Sequence, residues 1–429
     1  MTTNLSRDLS SLSASEAGVL MRAGHLSAQT LLRACLDRIA AREPAVRAWA
    51  HVAEAEAMAA AAACDAVAPL SPLHGIPIGI KDVLDTADMP TAYGSPAFAG
   101  HQPAADARCV TLLREAGAII IGKTVTAEFA TYHPGPTSNP LDAGRTPGGS
   151  SSGSAAAVAD RHVPLSLGTQ TVGSTLRPGS FCGIHGFKPS IGRYPTDGTK
   201  TTSPTLDTIG IFSRSLPDLL LIDAVLAPAP APLPVPSGEA IVITRTAAWG
   251  HATPAMQQAL ESCAKALSAA GIPVIERALP AEVEALLDYQ TVIHRREVFV
   301  SLGHIRDRYP DSVSAAFSAL VDAGAAITDA DYAEAIAGLA AARAALPRLF
   351  EGAAALLSPA APGIAPKGLD STGDPIFSRI WTAIGTPCLG FPWGTDEGMP
   401  LGLQLIGPVH TDRRLIALTQ ELLAKINPA

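Results

Sequence analysis

Three short segments of the chain carry polar residues that could act together in catalysis. Residues 145–158 run from a glycine- and serine-rich loop into an alanine-rich stretch that favours a helix. Residues 167–183 place Ser174 among small residues, whose backbone amides could point into a cavity as an oxyanion hole requires. Lys81 ends an apolar run, where burial would lower the pKa of its amine and favour the neutral form of a general base. The chemistry that these residue types perform together is attack of a serine on a carbonyl group.

Each segment also has a structural interpretation, which the local pattern leaves open. The serines of residues 145–158 could cap the helix that follows them, and the glycines permit a tight turn before it. The same helix start could instead offer free N–H groups to an anion. Lys81 could extend from the end of a strand to water. No single segment therefore identifies a site.

A fourth motif makes an NTPase the rival class of enzyme. Residues 117–124 match the phosphate-loop pattern GxxxxGK[ST], and residues 219–223 resemble the apolar run and aspartate that hold magnesium in such enzymes. The mechanism needs a loop at the four middle positions, but Ala-Ile-Ile-Ile predicts a strand there. The segment around Asp223 opens with Pro217 and predicts a helix. We therefore interpret the phosphate-loop match as coincidental.

Taken together, the three catalytic segments resemble the amidase-signature family. Gly-Ile-Pro-Ile-Gly-Ile-Lys-Asp, Gly-Gly-Ser-Ser-Ser-Gly-Ser-Ala-Ala and Val-Gly-Ser-Thr-Leu-Arg-Pro follow one another in the family's order. The similarity reaches Met-Pro-Leu-Gly-Leu-Gln-Leu-Ile-Gly-Pro at residues 399–408, so it covers most of the chain. The motif spacing is closest to that of malonamidase-like small amidases. The resemblance also gives the Gly-Lys-Thr sequence at residues 122–124 a scaffold role.

The resemblance implies a Ser-Ser-Lys triad. In this triad Ser174 is the nucleophile, Ser150 is a relay held by a cis peptide bond, and Lys81 is the base. Ser151 and Ser152 are alternative relays, but the family position directly after Gly-Gly is Ser150. The same analogy assigns the oxyanion hole to the backbone N–H groups of Thr171, Val172, Gly173 and Ser174.

Two features near the nucleophile distinguish this chain within the family. Gln170 and Val172 replace a common aspartate and glycine, and backbone N–H donors survive such replacements. Arg177 stands one position later than in most relatives and as in malonamidase-like members, where an arginine meets a substrate carboxylate. A structural ion-pair role for Arg177 is the alternative.

The resulting expectation is a hydrolase that converts small amides to a carboxylic acid plus ammonia or an amine. A carbamate (urethane) or urea-type carbonyl is open to the same attack. The alternatives are a glutaminase-type subunit of a tRNA-dependent amidotransferase and a catalytically silent binding protein on the same fold. We expect no metal and no organic cofactor, because neither the mechanism nor any ligand spacing requires one.

The elements that must position these residues alternate between strand and helix. Strands are predicted at residues 75–81, 117–123, 241–244 and 273–275, and helices at residues 27–44, 106–116 and 254–270. This pattern predicts one large α/β domain, residues 1–429, with a mixed, mostly parallel twisted sheet covered by helices on both faces.

Within this domain we expect four parts. They are an N-terminal helical wrap (1–70), a signature core with the triad (71–226), a Pro-rich surface connector (227–238) and the rest of the sheet (239–429). The last part includes a variable helical substrate lid, residues 281–380, with a mobile loop at residues 359–377. Arg193 and Trp381 are candidates for reaching a pocket, although a structural role is the simpler interpretation of each.

Composition excludes several classes of function. With 429 residues, 47% of them hydrophobic and 16% charged, the chain can bury a large core. The net charge of −8 and the absence of a basic cluster argue against nucleic acid as a direct partner. No apolar run is long enough for a membrane span, and the N-terminal residues lack a signal sequence, so we expect a cytoplasmic protein. The six dispersed cysteines predict reduced thiols, and a homodimer is left open.

Overall fold

A mixed sheet of 11 strands forms the centre of the computed structural model, which describes residues 8–227 and 239–426. The strands are β1 (Trp49–Val52), β2 (Pro77–Lys81), β3 (Ile119–Thr124), β4 (Leu165–Gln170), β5 (His185–Lys188), β6 (Thr208–Ser213), β7 (Ala240–Ile243), β8 (Val274–Glu276), β9 (Ala353–Pro359), β10 (Cys388–Asp396) and β11 (Met399–Ile406). Their order across the sheet is β1-β3-β2-β4-β6-β5-β10-β11-β9-β7-β8.

Helices cover both faces of this sheet, as the sequence predicts. They are α1 (Ala14–Arg22), α2 (Ala28–Val46), α3 (Glu54–Asp65), α4 (Arg108–Glu115), α5 (Ser152–Ala159), α6 (Leu176–Cys182), α7 (Leu216–Leu226), α8 (Pro254–Ala269), α9 (Ala281–Glu284), α10 (Leu286–Arg308), α11 (Ala315–Ala325), α12 (Asp329–Ala344), α13 (Leu346–Leu349), α14 (Ile376–Ile384) and α15 (Asp412–Ile426). None of the described helices is long and apolar enough to cross a bilayer.

The single α/β domain and its mixed sheet are confirmed, but the expectation of mostly parallel strands is wrong. Of the strand pairings in the described residues, four are parallel and six are antiparallel. The longest antiparallel pair, β10 with β11, is a hairpin whose connection contains Glu397 and Gly398 at positive φ. Such a turn needs no crossover helix, and so it escapes a prediction based on alternating strands and helices.

The predicted strands and helices in the core lie within a few residues of the observed ones. Residues 106–116, 117–123 and 254–270 correspond to α4, β3 and α8. Strands β2, β3, β4 and β6 are buried along their whole length, which agrees with the apolar runs that begin β2 and β3. The catalytic segments therefore start from the most buried part of the sheet.

The N-terminal region is helical, but it also contains a strand that the sequence does not predict. Helix α2 begins where predicted, and the Ser27 side chain accepts the N–H of Thr30 as its cap. The helix continues past Pro44 to Val46, so the predicted stop at the proline is two residues early. Strand β1 then pairs antiparallel with β3. Apart from Ala227, the predicted Pro-rich connector lies outside the described residues.

Candidate active site

Lys81 is brought to the centre of the molecule by two neighbouring strands. It is the last residue of β2, which runs parallel to β4 with Ile80 opposite Leu167. The Lys81 Nζ lies 2.7 Å from Ser150 Oγ and 2.7 Å from Thr169 Oγ1, which β4 contributes. The lysine is completely buried. Burial lowers the pKa of its amine well below the usual range, although the negative charge of Asp207 opposes this shift in part.

Ser150 is held against Lys81 by the loop that precedes α5. The peptide bond between Gly149 and Ser150 is cis. The Ser150 carbonyl accepts the N–H of Ala127 at 3.0 Å. A Cβ on Gly149 would lie 2.6 Å from Thr372 Cγ2, so this position has no space for a side chain. The loop is therefore packed between the core and the segment that contains Thr372.

The two alternative relay serines point elsewhere. The Ser151 Oγ donates to the Thr169 carbonyl at 3.1 Å and accepts the Thr169 N–H at 3.2 Å, so it ties α5 to β4. The Ser152 Oγ donates to the Val125 carbonyl at 3.3 Å. Of the three consecutive serines, Ser150 is the one whose hydroxyl meets Lys81.

Ser174 lies in the tight turn between β4 and α6. It is 7% exposed, while its neighbour Gly173 has Pro375 and Ser378 so close that an added Cβ would lie 2.7 and 3.2 Å from their Cβ atoms. Within the described residues, no acceptor lies in hydrogen-bonding geometry to the N–H groups of Val172, Gly173 or Ser174. Consecutive free amides beside a buried serine are what an oxyanion hole requires.

A buried carboxylate that the sequence does not single out anchors the start of this turn. The Thr171 Oγ1 donates to Asp207 Oδ1 at 2.6 Å, and Asp207 Oδ2 accepts the N–H groups of Thr202 and Ser203 at 2.8 and 3.0 Å. Asp207 keeps some exposed surface, yet protein surrounds its carboxyl group, and this desolvation raises its pKa to about 6. Asp207 thus connects the turn electrostatically to Lys81.

Arg177 is buried on α6 and faces the same loop as Ser150. Its Nη2 donates to the Gly149 carbonyl at 2.5 Å and to Thr372 Oγ1 at 3.0 Å. Its Nε and Nη1 have no hydrogen-bond partner within the described part of the chain. Burial lowers the pKa of Arg177 to about 10, with the charge of Asp374 acting in the opposite direction. The guanidinium therefore supports the loop and still has donors available.

The residues of the rival phosphate-loop motif serve the scaffold. The segment forms strand β3, and Lys123 Nζ is buried, donating to the Leu84 carbonyl at 2.7 Å and Thr91 Oγ1 at 2.6 Å. Asp223 on α7, the residue that would hold magnesium in the rival motif, accepts two hydrogen bonds from the Arg193 guanidinium, each at 2.7 Å. Arg193 is thus a structural ion-pair partner rather than a pocket residue.

Trp381 is the last of the residues that the sequence suggests could reach a pocket. Trp381 is completely buried on α14, and its indole N–H has no partner among the described residues.

The segment at residues 359–377, predicted as a mobile loop, contains buried residues such as Ala361, and it holds Thr372 against the site. Its position is therefore defined, and its mobility stays a prediction. The six cysteines are all free thiols, five of them buried.

Comparison with known proteins agrees with this geometry. The Amidase family model matches residues 30–416. The chain belongs to the amidase family. It is therefore an enzyme of the amidase-signature fold, and the resemblance based on the three motifs is confirmed.

Related sequences and solved structures extend this assignment over the whole chain. The chain is 33% identical to a glutamyl-tRNA(Gln) amidotransferase subunit from Salinispora arenicola, over 98% of both sequences. It is 34% identical to the corresponding subunit from Chloroflexus aggregans, over 95% of both. A crystal structure of an amidase superposes with a TM-score of 0.90 at 31% identity, covering 96% of this chain and 100% of that one. The peptide amidase from Stenotrophomonas maltophilia gives a TM-score of 0.78 at 27% identity, over 97% of both chains.

Proposed function

We propose that this amidase-family enzyme hydrolyses the C–N bond of small amides through an acyl-enzyme on Ser174, with Ser150 as relay and Lys81 as base. The observation that carries the proposal is the distance of 2.7 Å between the buried Lys81 Nζ and the buried Ser150 Oγ. Lys81 Nζ also bonds Thr169, two residues before the turn that holds Ser174. A neutral amine at this distance can accept a hydroxyl proton.

The proposed reaction begins with two proton transfers. Neutral Lys81 takes a proton from Ser150, which takes one from Ser174 as the Ser174 Oγ attacks the carbonyl carbon of the substrate. The negative charge that develops on the carbonyl oxygen meets the N–H groups of the turn at residues 171–174, of which those of Val172, Gly173 and Ser174 are free in the described part of the chain. The relay then returns a proton to the leaving nitrogen, because an amide anion is a very poor leaving group. Water finally hydrolyses the acyl-enzyme.

The class of acyl donor is the open part of this proposal. A carbamate carbonyl is open to attack by the same groups, so the reactions to be tested include cleavage of urethanes.

The relatives named as subunits of glutamyl-tRNA(Gln) amidotransferase favour a second candidate, a glutaminase-type subunit. The replacements at Gln170 and Val172 favour a free-standing hydrolase. Ammonia release from glutamine only in the presence of partner subunits would establish the second candidate.

Arg177 offers a hypothesis about substrate charge. Because its Nε and Nη1 are buried without a partner among the described residues, a carboxylate on the acyl group of the substrate could pair with them. We expect Arg177→Ala to lower kcat/KM for a carboxylate-bearing amide about tenfold more than for its neutral analogue. Equal losses on both substrates would show that Arg177 acts only by supporting the Gly149 carbonyl and Thr372.

The proposal is tested by amine or ammonia release from a panel of small amides, aryl anilides and carbamates. We expect release by the wild type and none by Ser174→Ala. Ser180→Ala is the matched control, since it removes from α6, the helix that follows Ser174, a buried hydroxyl that has no partner in the described part of the chain. Release that survives in Ser174→Ala, or a wild type that cleaves no member of the panel, would contradict the proposal.

A further inference from the structure

Gln170, one of the two departures from the family pattern, makes three hydrogen bonds next to the nucleophile. Its side-chain oxygen accepts the N–H of Thr175 at 2.8 Å and that of Leu176 at 3.1 Å, where α6 begins. Its side-chain nitrogen donates to Thr382 Oγ1 at 2.8 Å. Gln170 is completely buried, so these bonds do not compete with water. The glutamine therefore joins β4, α6 and α14.

Thr382 extends this connection to the backbone of the turn. Its Oγ1 lies 2.9 Å from the Val172 carbonyl and 2.9 Å from the Ser378 carbonyl. A hydroxyl group has one hydrogen and two lone pairs, so Thr382 can accept from Gln170 and donate to Val172 at the same time. The turn at residues 171–174 is thereby fixed from α14 at one of its carbonyl groups.

The family's common aspartate could not make the same connection. A carboxylate at position 170 could accept the amide groups at the start of α6, as an N-cap residue does. An ionised carboxylate has no hydrogen to donate to Thr382. The glutamine therefore adds a donor, which leaves the single hydrogen of the Thr382 hydroxyl available for the Val172 carbonyl. Helix α14 also contacts the turn directly, because Ser378 packs against Gly173, the residue before the proposed nucleophile.

We propose that Gln170 and Thr382 are positioning residues that hold the N–H groups of the oxyanion turn in register with α14. The inference rests on the proposed function, and it makes α14, which packs against the turn at Gly173, a determinant of the oxyanion geometry. Neither residue needs to touch the substrate, since both act through Thr175, Leu176 and Val172.

A displaced turn should change catalysis and not binding of the ground state. The oxyanion forms only in the transition state, so weaker stabilisation of it lowers kcat and leaves KM nearly unchanged. A purely structural role would instead lower the thermal stability and leave the kcat of the folded enzyme as it is.

The first test compares three variants of α14 and its end, using the amide that the wild type cleaves fastest. Thr382→Val removes the hydroxyl and Thr382→Ser keeps it. Thr386→Val removes a comparable buried hydroxyl, which donates to the Trp381 carbonyl and not to the turn. We expect Thr382→Val to lower kcat about tenfold or more at constant KM, as loss of an oxyanion contact does. Thr382→Ser should restore kcat, and Thr386→Val should not change it.

The second test uses Gln170→Glu, which keeps the size and the acceptor oxygen and loses the donor. Because both residues act in one chain of hydrogen bonds, the double variant Gln170→Glu/Thr382→Val should be no slower than the slower single variant. Wild-type kcat in Thr382→Val, or additive losses in the double variant, would overturn the inference while leaving the hydrolase intact. A wild type that neither cleaves an amide nor reacts with a fluorophosphonate would refute the proposed function and the inference with it.

Discussion

At the scale of residues, the proposed site depends on a lysine whose burial favours the neutral amine. Lys81 has two hydroxyl partners and no carboxylate ligand among its described hydrogen bonds, so burial dominates and lowers the pKa of its amine. The nearest opposing influence is the charge of Asp207, which acts from beyond the turn at Thr171. The pKa of this proposed base is thus lowered by burial and raised by the charge of one acidic side chain.

The pH dependence of activity should report this balance. A base must be neutral, so kcat/KM falls as the pH drops through the pKa of Lys81. Above its own pKa of about 6 the Asp207 carboxylate is anionic and raises the pKa of Lys81, so Asp207→Asn should shift an acidic limb that lies in this range to lower pH. Asp197→Asn, a change at an exposed aspartate, serves as the control. An unmoved limb, or a shift to higher pH, would be evidence against coupling between Asp207 and Lys81.

The proposed catalytic residues could be selected from sequence because their motifs are contiguous, whereas the residues that support them are scattered along the chain. Ser150 and Ser174 stand in recognisable glycine-containing strings. Asp207 reaches the site only through the fold of a loop, and Thr372 comes from a distant segment. Single threonines and aspartates have no local pattern that separates them from surface residues.

At the scale of elements, the packing of Gly149 against Thr372 links the relay loop to the segment before α14. The close approach requires a glycine, since an added Cβ would meet Thr372 Cγ2 at 2.6 Å and its Cβ at 3.1 Å. Arg177 bridges the same two residues through the Gly149 carbonyl and Thr372 Oγ1. The relay loop is therefore clamped by steric fit and by hydrogen bonds.

This clamp gives a prediction for a pair of substitutions. Gly149→Ala should lower the free energy of unfolding by about 1–3 kcal/mol, as overpacking does, and should lower kcat by moving Ser150. Adding Thr372→Ser removes the clashing methyl group, keeps the hydroxyl for Arg177 and should recover part of both losses. Gly250→Ala, where no atom lies within 4 Å of the added Cβ, is the control. Denaturant titration measures the free energy of unfolding, and hydrolysis of one amide measures kcat. A Gly149→Ala enzyme with wild-type stability and wild-type kcat would refute the clamp.

At the scale of the whole molecule, the fold class follows from apolar periodicity, and the topology does not. The buried runs of β2 and β3 have the composition of central strands, and they were predictable one by one. Strand direction depends on which segments pair, and β5 and β6 pair antiparallel within the same sheet. The four-residue strand β1 is too short to show a period, so the N-terminal wrap was expected to be helical throughout.

Long-range contacts also attach the N-terminal helices to the core. The Asp218 carboxylate on α7 accepts the N–H groups of Ala14 and Ser15 at 2.8 and 2.9 Å, satisfying the start of α1. Asp218→Ala should lower the free energy of unfolding by about 1–2 kcal/mol, because these buried amides lose their acceptor. We expect kcat to stay unchanged, since the contact lies outside the catalytic segments. Unfolding curves of Asp218→Ala and of the exposed-site control Asp37→Ala measure the effect. Equal stability of the two variants would argue against a stabilising role of the contact between Asp218 and α1.

The most direct test of the central claim is to locate the covalent bond that the enzyme forms. The wild type, Ser174→Ala and Lys81→Met would be treated with a fluorophosphonate, and the adduct would be mapped by peptide mass spectrometry. We predict one adduct on the peptide that contains Ser174 in the wild type, none in Ser174→Ala, and a much slower reaction in Lys81→Met, whose side chain cannot accept a proton. An adduct on another residue, or labelling of Ser174→Ala at the wild-type rate, would contradict the account.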